Sequence, residues 1–249
     1  MKKIFKFFLQ HYLKWITKLA LLINRPFIIV IAGSANKTFV KDEIVKKLKE
    51  ADFKTGSNPK GFNTEIGLPL AILDLPSGYN SYNNWMPAII KAPTKIFRKN
   101  FPKIFVLELG ISDPGDIKYL LSIIKPKIAV LTDITQRYLE NFGSMDELAG
   151  EYEYLVKKIK RDGYLILNYD NLRVKTMVKM AQAKIITFGL KDGADWQAFD
   201  IERKNDGQLV KIKYQNNIKQ YKISKFGEHH IYSLLAGLII SHVAQKEKF

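Results

Sequence analysis

The sequence predicts an α/β protein: a doubly wound, mostly parallel sheet with a phosphate-type loop, plus a small antiparallel β extension. Three observations predict this. Short apolar runs alternate with helix-like stretches from residue 27 to residue 188, the pattern of strands joined by crossover helices on both faces of a sheet. The first run, Phe27-Ile-Ile-Val-Ile-Ala32, has β-branched or aromatic side chains at five of six positions and ends in the small-residue loop Gly33-Ser34-Ala35-Asn36-Lys37-Thr38. After Gly189 the runs are short, lose their helices and are separated by Asp206-Gly207 and Asn216-Asn217, the second of which reads as a hairpin turn, so the region looks like an antiparallel extension.

The 249 residues suffice for a large core, and 47% hydrophobic with 12% aromatic content argues for a globular chain. The absence of cysteine excludes disulfides and thiolate metal sites. Forty Lys and Arg against 24 Asp and Glu give +16, which favours polyanionic partners: nucleotide, nucleic acid or an anionic membrane face. Much of that charge is Lys spread along the whole chain, and no nucleic-acid motif or aromatic-basic platform accompanies it.

Residues 1–25 are apolar and basic, and form a segment apart from the 26–249 domain. Phe5, Phe8, Leu9, Tyr12, Ile16, Leu19 and Ile23 recur at helical spacing, with Lys6, Gln10, Lys14 and Lys18 on another face and Phe7, Leu13 and Trp15 widening the apolar side. The uncharged stretch is far short of the roughly 20 residues of a membrane span. Such a helix has two outlets, lying on an anionic membrane or packing on its own domain. The interrupting lysines and the lack of a small-residue cleavage site argue against a signal peptide.

The first strand delivers its loop to the sheet's carboxyl edge, where ligands bind. There a phosphate would meet backbone N–H groups, the positive end of a helix dipole, the Lys37 charge and, through Mg²⁺, the Thr38 hydroxyl. The strict G-x-x-x-x-G-K-[ST] pattern needs glycines at 31 and 36, where this chain has Ile31 and Asn36. By itself the stretch is equally consistent with a tight strand-to-helix turn. A helix over 38–51 and a short extended piece over 53–56 follow, then a polar turn opening a helix, with Asn63 or Thr64 as N-cap. Residues 74–85 read as loop. A strand over 103–109 ends in Glu108, either a Mg²⁺ ligand or an ordinary strand-end acid. Asp113 and Pro114 read as cap and first residue of the next helix.

A third strand over 127–132 precedes Asp133, and Ser144-Met-Asp-Glu147 is a capping box for a helix to about residue 160. Strands over 164–168 and 184–188 flank a helix over 171–182. The extension occupies 190–226 and a final helix 228–246. His229 and His230, adjacent at its start, point different ways and so do not read as a metal pair.

In order along the chain come Gly33-Ser34-x-x-Lys37-Thr38, Phe62-Asn63-Thr64-Glu65-Ile66-Gly67-Leu68-Pro69, Glu108-Leu109-Gly110, Leu139-x-x-Phe142-Gly143-Ser144, Leu167-Asn168-x-Asp170 and Gly227-x-His229. Over residues 25–246 this set resembles the central, ATP-binding domain of the Mur ligases, especially the type that joins D-alanyl-D-alanine to a UDP-linked muramoyl tripeptide. The resemblance implies an ATP-dependent amide ligase of peptidoglycan precursor synthesis, acting through an acyl phosphate. It implies ATP and Mg²⁺ as cofactors and a UDP-linked muramoyl peptide as partner. By resemblance, Gly33, Ser34, Ala35, Asn36, Lys37 and Thr38 bind phosphates, and Thr38 with Glu108 holds Mg²⁺. Lys37 and Glu108 are the catalytic candidates, Asn63 and Thr64 face the substrate, and His229 starts the adenine-side helix.

Three positions depart from the family. Asn36 replaces a glycine; it tolerates positive φ, but its side chain would crowd the phosphate. Tyr138 stands where the family has a metal-binding His, and a phenol with pKa about 10 is a poor Mg²⁺ ligand. Tyr152 stands where the family carries a carbamylated lysine, and a phenol cannot form that carbamate. The family's flanking domains also have no counterpart in these residues. The alternative to a working ligase, with altered metal ligands or with a partner chain supplying what is missing, is a pseudo-ligase that binds nucleotide weakly and serves as a membrane-associated scaffold or regulator. Either would be cytoplasmic, with residues 1–24 able to meet the inner membrane face.

Overall fold

A computed structural model describes residues 3–79, 81–137 and 139–247. Strand β1 (Phe27–Ala32) is apolar at every position because both its edges and both its faces are covered. Around it run α1 (Lys3–Asn24), α2 (Lys37–Glu50), β2 (Thr55–Ser57), α3 (Gly67–Leu73), α4 (Tyr82–Lys91), β3 (Ile104–Glu108), α5 (Asp116–Leu121) and β4 (Ile128–Leu131). Then follow α6 (Met145–Lys158), β5 (Tyr164–Asn168), α7 (Leu172–Thr176), β6 (Lys184–Gly189), β7 (Trp196–Lys204), β8 (Gly207–Tyr214), β9 (Asn217–Ile223) and α8 (Glu228–Glu247).

Among the described residues nine strands form one sheet in the order β2-β3-β1-β4-β5-β6-β7-β8-β9. The ladders from β2 to β7 are parallel, and β7, β8 and β9 pair antiparallel. The extension is therefore continuous with the main sheet, joined where β6 pairs with the start of β7 through Phe188 to Trp196 and Gly189 to Gln197. Its two hairpin turns lie at residues 205–206 and 215–216, each one residue before the dipeptide that separates the runs.

Side chains alternate along β1. Ile28, Val30 and Ala32 face a core with Leu13 of α1, Leu68 of α3, Ile117 of α5 and Leu155 of α6. Ile29 and Ile31 face Ile44 of α2 and Ile231 and Leu235 of α8. Each of these Ile, Leu and Val side chains contributes about 1.5–3 kcal/mol by leaving water. The two layers hold β1 rigidly, and β1 in turn fixes the loop that follows it.

Four sequence expectations need correction. The helix of residues 3–24 buries Leu9, Leu13, Thr17 and Ala20 on the domain, leaving Phe8, Leu19 and Ile23 of the expected apolar face exposed. Residues 82–85 are helical: Trp85, Ala88 and Ala92, spaced three and four apart, are buried, and this face outweighs the Pro, Gly, Ser and Asn content of 74–85 that suggested a loop. Asp113 is not the cap of α5. Asp116 accepts from the Ser112 and Asp113 N–H groups, while Glu151 of α6 accepts from Gly115 and Ile117. The segment after β5 is α7 followed by a 3₁₀ turn, Met177–Met180, rather than one long helix.

Half of the capping box forms: the Ser144 hydroxyl accepts from the Glu147 N–H at 3.1 Å, while Glu147 Oε2 reaches past the cap and accepts from the Gly143 N–H at 2.7 Å. Ser144→Ala is expected to cost about 1 kcal/mol, a fall of roughly 2–4 °C in thermal melting for a chain of this size.

Candidate nucleotide site

The carboxyl ends of β1, β3, β4 and β5 converge on residues 33–38. Gly33 has φ +140, and a Cβ there would lie 2.1 Å from Thr132 Oγ1 at the end of β4. Only glycine lets β1 turn this close to its neighbour. The Ser34 N–H then donates to the Asp133 carbonyl at 2.6 Å, the Ser34 hydroxyl accepts from Thr135 N–H at 3.1 Å, and Thr132 Oγ1 donates to the Ala35 carbonyl at 2.7 Å. The loop is thus latched along one side to β4.

Asn36 adopts the left-handed conformation (φ 63) immediately before α2, as its identity allows. Its side chain turns to Asp133, donating to Oδ2 at 3.1 Å, while Asn168 at the end of β5 donates to Oδ1 at 2.9 Å. Burial pushes the Asp133 carboxyl above the usual carboxylate range; the two amides pull it down and Asp170 adds to the rise. Asp170 in turn accepts from the Leu190 and Lys191 N–H groups and the Tyr232 hydroxyl. Asp133 and Asn168 escaped the sequence reading as loop-positioning residues. The signal was present: each is the polar residue at the carboxyl end of a parallel strand.

Lys37 is the first residue of α2 and only 9% exposed. Its Nζ donates to the Gly33 carbonyl at 2.7 Å, folding the side chain back over the loop. Burial lowers its pKa from the usual lysine range, the Glu108 charge opposes this and Arg137 reinforces it. Next in sequence, Thr38 Oγ1 donates to Glu108 Oε2 at 2.8 Å, and Asn63 Nδ2 donates to Oε1 at 3.0 Å. Glu108, the last residue of β3, is also held through its backbone: Asn58 Oδ1 accepts from its N–H at 2.8 Å, and Asn58 Nδ2 donates to its carbonyl at 2.9 Å. Asn58, fully buried with Lys41 on its carbonyl at 2.8 Å, is a third positioning residue, and no sequence pattern signalled it.

The fold therefore brings Gly33, Ser34, Ala35, Asn36, Lys37, Thr38, Glu108 and Asn63 together. Thr64 serves the backbone, its Oγ1 accepting from the Gly67 N–H at 3.4 Å. His229 is brought to the first turn of α2, its ring 4.8 Å from that of Phe39. The Tyr152 hydroxyl is buried beside the loop, 3.5 Å from Ser34 Oγ. Tyr138 lies outside the described residues. A hydroxyl and a carboxylate side by side form a hard oxygen donor pair that fits Mg²⁺, and the start of α2 with Lys37 supplies positive potential for an anion.

The family model of the Mur ligase middle domain matches residues 31–241. The UDP-N-acetylmuramoyl-tripeptide--D-alanyl-D-alanine ligase of Buchnera aphidicola is 29% identical over 215 residues, which cover 86% of this chain and 42% of that protein. The Bacillus subtilis ligase of the same name is 28% identical over 213 residues, covering 85% and 40%. Among solved structures, MurF ligase from Thermotoga maritima in complex with ADP aligns with a TM-score of 0.76 at 20% identity, covering 95% of this chain and 49% of that one. MurF from Acinetobacter baumannii gives 0.75 at 19%, covering 94% and 46%; at such identities the likeness speaks for the fold. The chain spans less than half the length of the curated relatives it matches. The family match runs from within β1 into α8, through the loop and both carboxylate-bearing strand ends, and the chain belongs to the Mur ligase family by its middle domain.

Proposed function

We propose that the chain binds Mg-ATP at residues 33–38 and acts as an ATP-dependent amide ligase in peptidoglycan precursor synthesis. The observation that carries this is the Thr38 hydroxyl in contact with the Glu108 carboxylate at 2.8 Å, one residue beyond a buried lysine. These two side chains would hold Mg²⁺, which when bound neutralises phosphate charge. Lys37 exchanges its bond to the Gly33 carbonyl for one to a phosphate oxygen and steadies the charge that develops on phosphoryl transfer. The substrate carboxylate attacks the γ-phosphorus to give an acyl phosphate and ADP; an amine then attacks the acyl carbon, and phosphate leaves as the amide forms.

The acid substrate, a UDP-linked muramoyl peptide by analogy with the relatives, approaches on the Asn63 and Thr64 side. There a cavity of about 420 Å³ is lined by Lys6, Thr64, Glu65, Gly110 and Tyr119 among others. By analogy with the relatives, the protein works in the cytoplasm. Amine-dependent ADP release that disappears in Lys37→Ala is the expected result. Tyr152 cannot carry a carbamate, so turnover proceeds without one. ATP binding with no ADP release under any amine would overturn the ligase reading and leave a nucleotide-binding scaffold.

Lys37 also sets a pH dependence. Its folded pKa lies below the usual 10.5, lowered first by burial. Phosphate favours the ammonium, so nucleotide binding takes up a proton once the pH approaches that lowered value. Affinity is expected to fall as pH rises through the alkaline range below 10.5, with proton uptake measured by calorimetry in buffers of different ionisation enthalpy.

A further inference from the structure

We propose that the outward face of α1 docks on an anionic lipid bilayer. At 3.6 residues per turn, positions 4, 8, 15, 19 and 22 share one stripe, roughly opposite the buried Leu9, Leu13, Thr17 and Ala20. That stripe is apolar except for His11, whose ring lies against Phe7 at 4.3 Å: Ile4, Phe8, Trp15, Leu19 and Leu22 are exposed, and Phe7 and Ile23 widen it. The helix is therefore apolar on both sides, and its own domain satisfies only one of them. The segment beneath it exposes Met86, Ile90 and Phe97 as well, and is tied to α1 by Tyr12 Oη on the Ile89 carbonyl and Asn24 Nδ2 on the Ile96 carbonyl, both at 2.8 Å.

Charge selects the occupant. Residues 3–25 contain no Asp or Glu but carry Lys3, Lys6, Lys14, Lys18 and Arg25. Lys6 is paired with Glu65 at 2.7 Å; Lys18 lies over the Trp15 ring, 4.7 Å from its centroid. At the C-terminal half of the helix a groove of about 580 Å³ has Trp15, Leu19, Leu22 and Ile123 in its wall and Lys18, Arg25 and Lys125 among its lining residues. Apolar side chains with a tryptophan and cations of one sign match an acyl-chain boundary beneath phosphate headgroups. With a net charge of +16, the whole chain is drawn to such a surface.

The tryptophans make the test direct. Of the three, Trp15 is 64% exposed, while Trp85 and Trp196 are 3% and 7% exposed. The full chain, without nucleotide, is mixed with phosphatidylcholine vesicles with and without phosphatidylglycerol. Expected are sedimentation with the anionic vesicles, tighter by about tenfold or more, and a shift of emission to shorter wavelength that Trp15→Phe removes. The double variant Phe8→Glu, Leu22→Glu alters only exposed positions, so its thermal melt stays near that of the parent while vesicle binding is lost. No preference for anionic vesicles, or binding untouched by the double variant, would overturn the proposal. So would a concentration-dependent dimer that the double variant dissolves in the absence of vesicle binding, because the face would then belong to a second copy. None of these readouts depends on the ligase activity.

Discussion

Replacing Gly33 with alanine is expected to lower the melting temperature by roughly 6–12 °C and to abolish nucleotide binding, from about 3 kcal/mol of strain and overpacking. The backbone there sits at φ +140, outside the range that L side chains adopt readily, and the new Cβ would meet Thr132 Oγ1 at 2.1 Å and both Asp133 N and O at 3.1 Å. Thr132 cannot swing clear without releasing the Ala35 carbonyl. Relief by backbone movement would break the Ser34 bond to Asp133, and that bond sets the shape of the loop. A control has the opposite sign. Gly150 lies inside α6 with nothing within 4 Å of an added Cβ, so Gly150→Ala should stabilise by up to about 1 kcal/mol through helix propensity. Melting curves of the two variants, side by side, separate local crowding from a general effect of adding a methyl group.

Lys37→Met should leave a folded chain whose ATP affinity falls about 10- to 150-fold, the loss of one charge-assisted hydrogen bond of about 1.5–3 kcal/mol. Met keeps the length and apolar stem of the buried side chain, so the core around α2 survives. The Gly33 carbonyl loses its 2.7 Å partner, and Glu108 loses the nearby positive charge that opposes its own. Because burial already disfavours the ammonium, the apo protein gains back part of what those losses cost, and the melting temperature should change far less than in Gly33→Ala. Calorimetric titration with ATP measures the affinity, and a parallel melt confirms that the binding loss is not unfolding.

The parallel core was readable because β1, β3, β4 and β5 are buried on both faces and so are apolar up to their last residues, and their shortness and β-branched content mark such runs as strands. Helix α4 was hidden because its buried positions, Trp85, Ala88 and Ala92, are diluted by Asn83, Asn84 and Pro87, and tertiary packing outweighed local propensity. The expected apolar face of α1 was misplaced for another reason. Both sides of that helix are apolar, so spacing could not say which one the domain would take. At the site, chain order exposed Gly33, Lys37, Thr38 and Glu108 through the family pattern. Asp133 and Asn168 were marked as polar residues at strand ends, but what they and Asn58 bind depends on which strand ends become neighbours in the sheet, a property of topology. Asn36 shows a third situation. Its positive φ followed from residue type, but the direction of its side chain, toward Asp133 and not into the loop, followed only from the fold.

The central claim is that Thr38 and Glu108 form, beside Lys37, a seat for a metal-bound triphosphate. The most direct measurement is a calorimetric titration of ATP, with and without Mg²⁺, into the full chain and into Glu108→Gln. The account predicts that Mg²⁺ tightens ATP binding to the parent chain and that this gain vanishes in the variant, while metal-free binding persists. Equal binding with and without Mg²⁺ in both proteins, or no ATP binding to the parent at all, would contradict it.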